Sequence, residues 1–231
     1  MSTSEVWVLQ GVLMIKKIIL ILLIIVSLLV FLSVWAYQNK VKHMNEDPFF
    51  KEINTLESQQ RFDELNQKLI EKATMGRYEF KDKLESRWMT DWLKSRLTSS
   101  EIPTLYLIAK FYENYGEFKK SSEWYAIAAL TARVDAVRCT DPSASQSIIV
   151  MESIFKWTKQ YSQSHPQEKA KIFQKSLDYE ESAKNRPMNQ WICAHGIKSF
   201  RQSPQSKPDT EWHEQREKIR REFLNTLKKV N

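Results

Sequence analysis

The hydrophobic pattern of the chain is dominated by one long apolar stretch near its start. Ile18 to Tyr37 (IILILLIIVSLLVFLSVWAY) is twenty residues without a charged side chain. As an α-helix this stretch spans about 30 Å, the thickness of the hydrocarbon core of a bilayer. Its two serines, Ser27 and Ser33, can each bond a backbone carbonyl one turn back, so neither hydroxyl stays unpaired in lipid. The pattern predicts one transmembrane signal-anchor helix at residues 18–37, after a short N-terminal tail at residues 1–17.

A cleaved secretory signal peptide is the alternative interpretation of this stretch. Lys16 and Lys17 form a short basic region before it, and Val34-Trp35-Ala36 loosely resembles a cleavage site. The apolar run is longer than the roughly 7 to 15 residues of a signal peptide, which favours a retained anchor. A basic pair directly before the run is the usual arrangement for export. We therefore expect a single-pass protein of the inner (cytoplasmic) membrane of a bacterial envelope, with residues 38–231 periplasmic or otherwise extracytoplasmic.

The rest of the chain follows the period of helices that bury one face. A polar linker is predicted at residues 38–47. Asp47 and Pro48 then form a typical helix start, with an aspartate N-cap and proline in the first turn. Beyond it, apolar residues recur every three or four positions between glycines and prolines that mark boundaries. Glycine is rare, with four residues in 231, and no segment alternates as a half-buried strand should. The fold class predicted for residues 48–231 is therefore all-α.

One segment, Ile102 to Asp135, carries a more specific pattern. Its large and small residues stand at the spacing of a helix-turn-helix unit: Leu105, Ile108, Ala109, Tyr112, Gly116, Phe118, Tyr125 and Ala128. Ala109 and Ala128 are small where two helices approach closely, and Gly116 permits a tight turn. These 34 residues resemble a tetratricopeptide (TPR) repeat or its Sel1-like relative, although Ser121 and Arg133 depart from the family pattern.

The resemblance implies antiparallel helical hairpins stacked side by side, because a lone repeat cannot bury its own face. Residues 56–73 resemble a degenerate second hairpin, and no clean third copy is present. An irregular helical bundle is the alternative. Stacked hairpins would form a concave, aromatic-rich groove for a peptide or helix of another protein. The candidate partner-binding residues on this hypothesis are Tyr112, Tyr115, Lys119 and Trp124.

The two cysteines, Cys139 and Cys193, both lie in the predicted exported domain. An oxidising compartment allows them to pair. Closing the loop of about 54 residues between them would stabilise the fold by about 4 kcal/mol in the chain-entropy model. Two separate buried thiols are the alternative, and they are the default for a cytoplasmic domain. Cys139-Thr140-Asp141-Pro142 also has the pattern of a helix end followed by a new N-cap.

Candidate catalytic chemistry is limited to Cys193 and His195. Two residues apart on a helix, they point to different sides and cannot act on each other as nucleophile and base. The four histidines show no paired metal-ligand spacing, and the sequence holds no Gly-rich phosphate loop or HExxH, so no metal or cofactor is expected. His195 is interpreted as a helix-end residue beside Gly196.

The net charge of +7 does not by itself indicate nucleic acid, because 28 acidic residues are interleaved with 35 basic ones. Charged residues on the last predicted helix, residues 209–230, are expected to form a solvated face with pairs along the surface. The function expected from the sequence is protein–protein interaction at the cell envelope, by a chain held in the lipid bilayer through Ile18 to Tyr37. The alternatives are a structural subunit of an envelope assembly, or an enzyme that uses Cys193 or His195.

Overall fold

The computed structural model describes residues 3–74, 80–97, 102–187, 190–203 and 205–228, and within these ranges the fold is all-α with no strand. This confirms the predicted fold class. Two short 3-10 helices occur, at Pro142–Ser145 and Ile197–Phe200. The α-helices are α1 (Thr3–Glu46), α2 (Pro48–Ser58), α3 (Phe62–Thr74), α4 (Phe80–Ser95), α5 (Ile102–Tyr115), α6 (Phe118–Ala136), α7 (Gln146–Ser153), α8 (Lys156–Ser164), α9 (Pro166–Ser182), α10 (Gln190–Ala194) and α11 (Asp209–Lys228).

The chain divides into two compact units, Met1–Leu65 and Asn66–Asn231, which are described separately. In the first unit, the described residues include one helical stretch long and apolar enough to cross a membrane, Lys17–Lys42. Its most apolar 18 residues have a mean hydropathy of 3.2, and none of them is buried. The stretch includes the predicted anchor. The expected polar linker is helical as far as Glu46, because nothing between residues 38 and 46 is a glycine or proline that would end the helix.

The start of α2 agrees with the predicted cap. A side-chain oxygen of Asp47, Oδ1, accepts hydrogen bonds from the backbone amides of Phe49 at 2.8 Å and Phe50 at 3.3 Å, and Pro48 is the first helical residue. The chain turns after α2 at Gln60, whose φ of 57° lies in the left-handed region, and then enters α3. Residues 56–73, where the sequence suggested a second hairpin, therefore cover the last turn of α2 and nearly all of α3.

In the second unit, α6 lies at the centre and packs against α5, α8, α9 and α11. The turn from α5 to α6 uses Gly116 at φ 87°, a conformation that only glycine adopts readily. Ala109 and Ala128 are both fully buried in the core cluster shared by the two helices, as expected of small residues at a close approach. Most polar side chains buried in such a core are hydrogen-bonded. Ser121 is one of these, since its hydroxyl donates to the Ala109 carbonyl at 2.8 Å.

The last helix differs from its prediction. Most of the charged residues of α11 face solvent as predicted, Lys218 and Arg221 among them, but Arg216 is only 5% exposed. Trp212, on the same helix, is 2% exposed. Trp212 packs with Leu130, Val134 and Leu177, while the Arg216 guanidinium bonds Glu180, a fully buried carboxylate on α9. The reason is physical: a carboxylate buried on α9 is stable only with charged partners, and α11 supplies them.

Candidate functional site

One concave site in the described part of the second unit is a groove of about 740 Å³, which we call the α6–α11 groove. It lies between the last turn of α6, the segment that leads into α7, and one face of α11. Its twelve lining residues are Arg133, Ala136, Val137, Cys139, Thr140, Pro142, Ser145, Ile148, Lys207, Ile219, Glu222 and Phe223. They combine an apolar floor with three charged side chains.

Both basic side chains of the groove have partners within the protein. The Arg133 guanidinium lies 2.7 Å from a carboxylate oxygen of Glu152, and the Lys207 ammonium lies 3.2 Å from one of Glu211. A ligand that relied on these cations would have to displace an existing ion pair. The groove is therefore better suited to apolar side chains than to a small anion.

Lys207 reaches the groove because the segment before α11 runs beside the end of α6. The Lys207 amide donates to the Arg138 carbonyl at 2.7 Å, and the Thr140 amide donates to the Gln205 carbonyl at 3.1 Å. These two backbone bonds fix the entry of α11, and with it the position of the wall that carries Ile219 and Phe223.

A disulfide between Cys139 and Cys193 lies at the edge of the same site. The two Cα atoms are 5.3 Å apart and both residues are buried, so the bridge predicted from the sequence is present. It ties the segment after α6 to α10 across 54 residues of chain. One wall of the groove is thus held covalently.

Asp141 reinforces this attachment with hydrogen bonds. Its carboxylate accepts from the backbone amide of Lys198 at 2.6 Å and from the amide of Ser143 at 3.0 Å, which confirms the predicted N-cap. The bond from the Lys198 amide, followed by that from the Ser143 hydroxyl, lowers the pKa of the Asp141 carboxyl. A side chain at Gly196 would place its Cβ 2.5 Å from Asp141 Oδ2, so this approach requires glycine.

The α11 wall is held by a buried ion network centred on Glu180. Its carboxylate lies 2.7 Å from an Arg216 nitrogen and 3.2 Å from an Arg186 nitrogen, and it also bonds Arg220. Arg186 in turn bonds Asp135 on α6 at 2.7 Å. The network therefore joins α6, α9, the segment after α9, and α11.

Burial and charge act in opposite directions on the two carboxyls of this network. Burial alone would raise the pKa of Glu180, but the hydrogen bonds and charges of Arg216 and Arg220 outweigh it and lower that pKa. For Asp135, burial dominates over Arg186 and raises the pKa. Glu181, which is half exposed, has its pKa lowered to about 2 by bonds from Arg216 and Lys184.

The four candidate partner-binding residues do not line this groove. Tyr112 is 8% exposed, and both it and Trp124 contact the Lys94 ammonium, which lies 4.5 Å from the Tyr112 ring centroid and 5.5 Å from the Trp124 ring. Lys119 is exposed and pairs with Glu168 on α9 at 3.3 Å, while Tyr115 is half-buried at the end of α5. The structure brings Tyr112 and Trp124 together around Lys94.

The two residues considered for catalysis, Cys193 and His195, both take part in structural contacts. Cys193 is bonded to Cys139 and has no thiol available as a nucleophile. The His195 Nδ1 atom lies 2.7 Å from the Trp191 carbonyl oxygen, one turn back on α10, as expected of a helix-end histidine. Within the described ranges, no group of three or more His, Cys, Asp or Glu side chains could hold a metal ion.

No protein-family model, curated protein or solved structure matches this chain. Its function must therefore be argued from its own residues. The sequence did not predict the groove or the two α11 residues in its wall, Ile219 and Phe223. Their spacing of four marks one helix face, but that spacing does not distinguish a buried face from the wall of a groove.

Proposed function

We propose that this chain is a membrane-anchored binding protein of the cell envelope that holds an apolar segment of another protein in the α6–α11 groove. The observation that carries the proposal is the groove itself. Its volume of about 740 Å³ lies within the range of about 300 to 1,000 Å³ typical of ligand sites, and its floor is formed by apolar residues such as Val137, Ile148 and Phe223.

The long N-terminal helix supports the anchored part of the proposal. Large apolar side chains in it are highly exposed, with Leu23 at 62% and Phe31 at 66%. Burying each such side chain is worth about 1.5 to 3 kcal/mol, so a run of them in water is strongly unfavourable, whereas lipid would cover them all.

The disulfide supports the extracytoplasmic part. Structural disulfides persist in oxidising compartments and are rare where the cell keeps thiols reduced. A chain with residues 1–17 inside and residues 38–231 outside the cytoplasm would expose Cys139 and Cys193 to such a compartment. The predicted orientation is thus consistent with the bridge.

The hairpin of α5 and α6 supports a TPR-like relationship as part of this proposal. It has the close alanines, Ala109 and Ala128, and the glycine turn at Gly116 that the resemblance implies. Helices stacked on such a hairpin would leave concave surfaces, and the α6–α11 groove is the one we assign to the partner.

The class of partner follows from the lining. Since the charged groups Arg133 and Lys207 are already paired, most of the affinity must come from apolar contact. An amphipathic helix that inserts side chains spaced by three and four residues is the occupant that fits such a groove.

Site-specific photocrosslinking in native membranes tests the proposal. A photoreactive amino acid is placed in the full-length chain at Thr140 or Ser145, two exposed lining residues, and at Lys171, an exposed residue of α9, as a control. We expect the two groove positions to give the same discrete adduct and Lys171 to give none. Val137→Trp, which fills the groove from a half-buried position, should abolish the adduct without lowering the melting temperature.

The proposal would be wrong if all three positions gave the same adducts, if the groove positions gave none, or if the adduct survived Val137→Trp. A melting curve of each variant establishes that the fold is intact before the adducts are compared.

A further inference from the structure

The second unit carries an exposed apolar surface that the groove does not use. Ile149, Val150 and Ile197 are 71%, 68% and 65% exposed, more than any other large apolar side chain described in Asn66–Asn231. These values match those of the anchor helix. Scattered single exposures are ordinary in soluble proteins, but a cluster of this kind marks an interaction surface.

The way α7 packs on the core accounts for this exposure. Residues 148–151 are four consecutive apolar side chains on an eight-residue helix. Ile148 is buried and Met151, three residues on, packs against the same core cluster. Since successive helical residues are rotated by about 100°, Ile149 and Val150 must then point away from the core.

Two neighbouring segments extend the surface. The amide of Ile197 donates to the Ser143 hydroxyl at 2.8 Å, which places Ile197 beside the 3-10 turn that leads directly into α7. In the chain, two residues separate α7 from α8, whose Trp157 is 39% exposed. We call the surface formed by Ile149, Val150, Trp157 and Ile197 the α7 face.

The charges around the α7 face are mainly positive. Lys156 and Lys159 on α8 are exposed, and the Lys156 ammonium lies 5.0 Å from the Trp157 ring centroid. Neither lysine forms a salt bridge with a carboxylate of the described residues. The acidic residue of α7, Glu152, is neutralised by Arg133 at 2.7 Å.

We propose that the α7 face docks on the anionic surface of the bilayer that holds the anchor helix. Aliphatic side chains and a tryptophan bordered by lysines are the combination that enters the headgroup region of an anionic membrane. The same chain provides the tether, so the second unit is held near a bilayer at high effective concentration and a weak surface contact is sufficient. This inference rests on the anchored part of the proposed function, but not on the groove.

The test uses the full-length chain in nanodiscs of phosphatidylcholine alone or of phosphatidylcholine with phosphatidylglycerol. A spin label is attached to a new cysteine at Ser153, an exposed residue at the end of α7, with a label at Gln174 on α9 as the matched control. In the anionic discs, the Ser153 label should become less accessible to a water-soluble relaxation agent and more accessible to oxygen. The Gln174 label should be unchanged.

Variants identify the side chains responsible. Ile149→Asp with Val150→Asp should return the Ser153 label to solvent accessibility. Lys156→Gln and Lys159→Gln should each lower the ratio of docked to undocked chain about fivefold, an effect that added salt should reproduce in the unmodified chain.

The results separate the two proposals. Failure of the chain to purify with either nanodisc would overturn the anchor and this inference together. If the chain is recovered in both kinds of disc, the anchor holds, and the label measurements test the α7 face alone. Equal accessibility of the Ser153 label in both discs, or protection that appears only when a second protein is added, would overturn docking on lipid.

Discussion

The helices α5 and α11 both attach to α6, but they do so by different means. Between α5 and α6 the contact is apolar and close, with residues such as Leu105 and Ala109 fully buried against Ala128. Among the α11 side chains whose burial is described, Trp212 is the single buried apolar one, and Ile219 and Phe223 pack against the same cluster while partly exposed. The ion pairs of Arg216 and Arg220 with the buried Glu180 add a second kind of attachment.

The difference determines how each helix responds to its surroundings. Apolar packing does not depend on protonation, whereas a buried ion network is lost when a carboxylate takes up a proton. A buried ion pair also contributes less net stability than its Coulomb attraction suggests, because both charges are desolvated, but it strongly penalises any arrangement that leaves one charge alone. The network therefore fixes the position of α11, and with it one wall of the groove, more than it stabilises the fold.

The largest expected effect comes from Glu180→Gln, which keeps the shape of the side chain and removes its charge. Arg216 and Arg220 would then be buried without their main partner, at a cost of about 4 kcal/mol, or about 12 °C in melting temperature for a domain of this size. Calorimetry of the full-length chain in detergent measures this fall in melting temperature.

Glu181→Gln is the matched control, since Glu181 bonds Arg216 from a side chain that is 44% exposed. Its cost should remain below about 1 kcal/mol. If the two variants lose equal stability, the buried network does not hold α11 in the way described.

Leu105→Ala tests the apolar attachment, and we expect a loss of about 3 kcal/mol from the lost burial and the cavity that remains. This loss of stability should not depend on pH. The stability difference from the unmodified chain should be the same at pH 7 and at pH 4, because no group that titrates is removed. A difference that changed with pH would show that the α5 contact is coupled to the ion network.

Acidification should weaken the α11 attachment by itself. Glu180 and Glu181 have lower pKa values in the folded chain than when unfolded, about 2 in the case of Glu181. The stability they contribute is therefore fully present above about pH 5 and is lost as the pH falls toward 2. The raised pKa of Asp135 opposes this loss in part. Melting temperatures of the unmodified chain should fall between pH 7 and pH 2, and those of Glu180→Gln should fall less steeply. An equally steep fall in both would contradict the role given to Glu180 in the acid response.

The smallest effect is expected for Trp212→Phe. This change keeps an aromatic ring in the α11 contact but removes the indole N–H that donates to the Val134 carbonyl at 3.1 Å. The loss of one buried hydrogen bond should cost about 1 kcal/mol by denaturant titration. Trp157→Phe, at an exposed position, is the control and should have no measurable effect.

Much of the fold could be predicted from the sequence, because the relevant signals are local. The long apolar run, the Asp47-Pro48 cap, the Asp141-Pro142 cap and the glycine turn at Gly116 each depend on residues within a few positions of one another. The disulfide was also within reach, since the chain has two cysteines and one pairing.

The candidate sites could not be predicted in the same way. Tyr112 stands at a repeat-like position, but its burial depends on where α4 places Lys94. The α6–α11 groove joins residues more than 80 positions apart, such as Arg133 and Phe223. A spacing of three or four shows that a helix has a face, and it carries no information about which element covers that face.

The sequence by itself determined that the chain is helical, where α2 begins and α5 turns into α6, and that one helix is suited to lipid. Only the tertiary structure decided that Arg216 is buried and that Ile149 and Val150 are exposed, the reverse of what their polarity suggests. The physical reason is that helix formation depends on neighbours along the chain, whereas burial depends on packing between helices that are distant in sequence. Glu180 shows this most clearly, because its three charged partners, Arg186, Arg216 and Arg220, come from two separate segments, and the sequence does not bring them together.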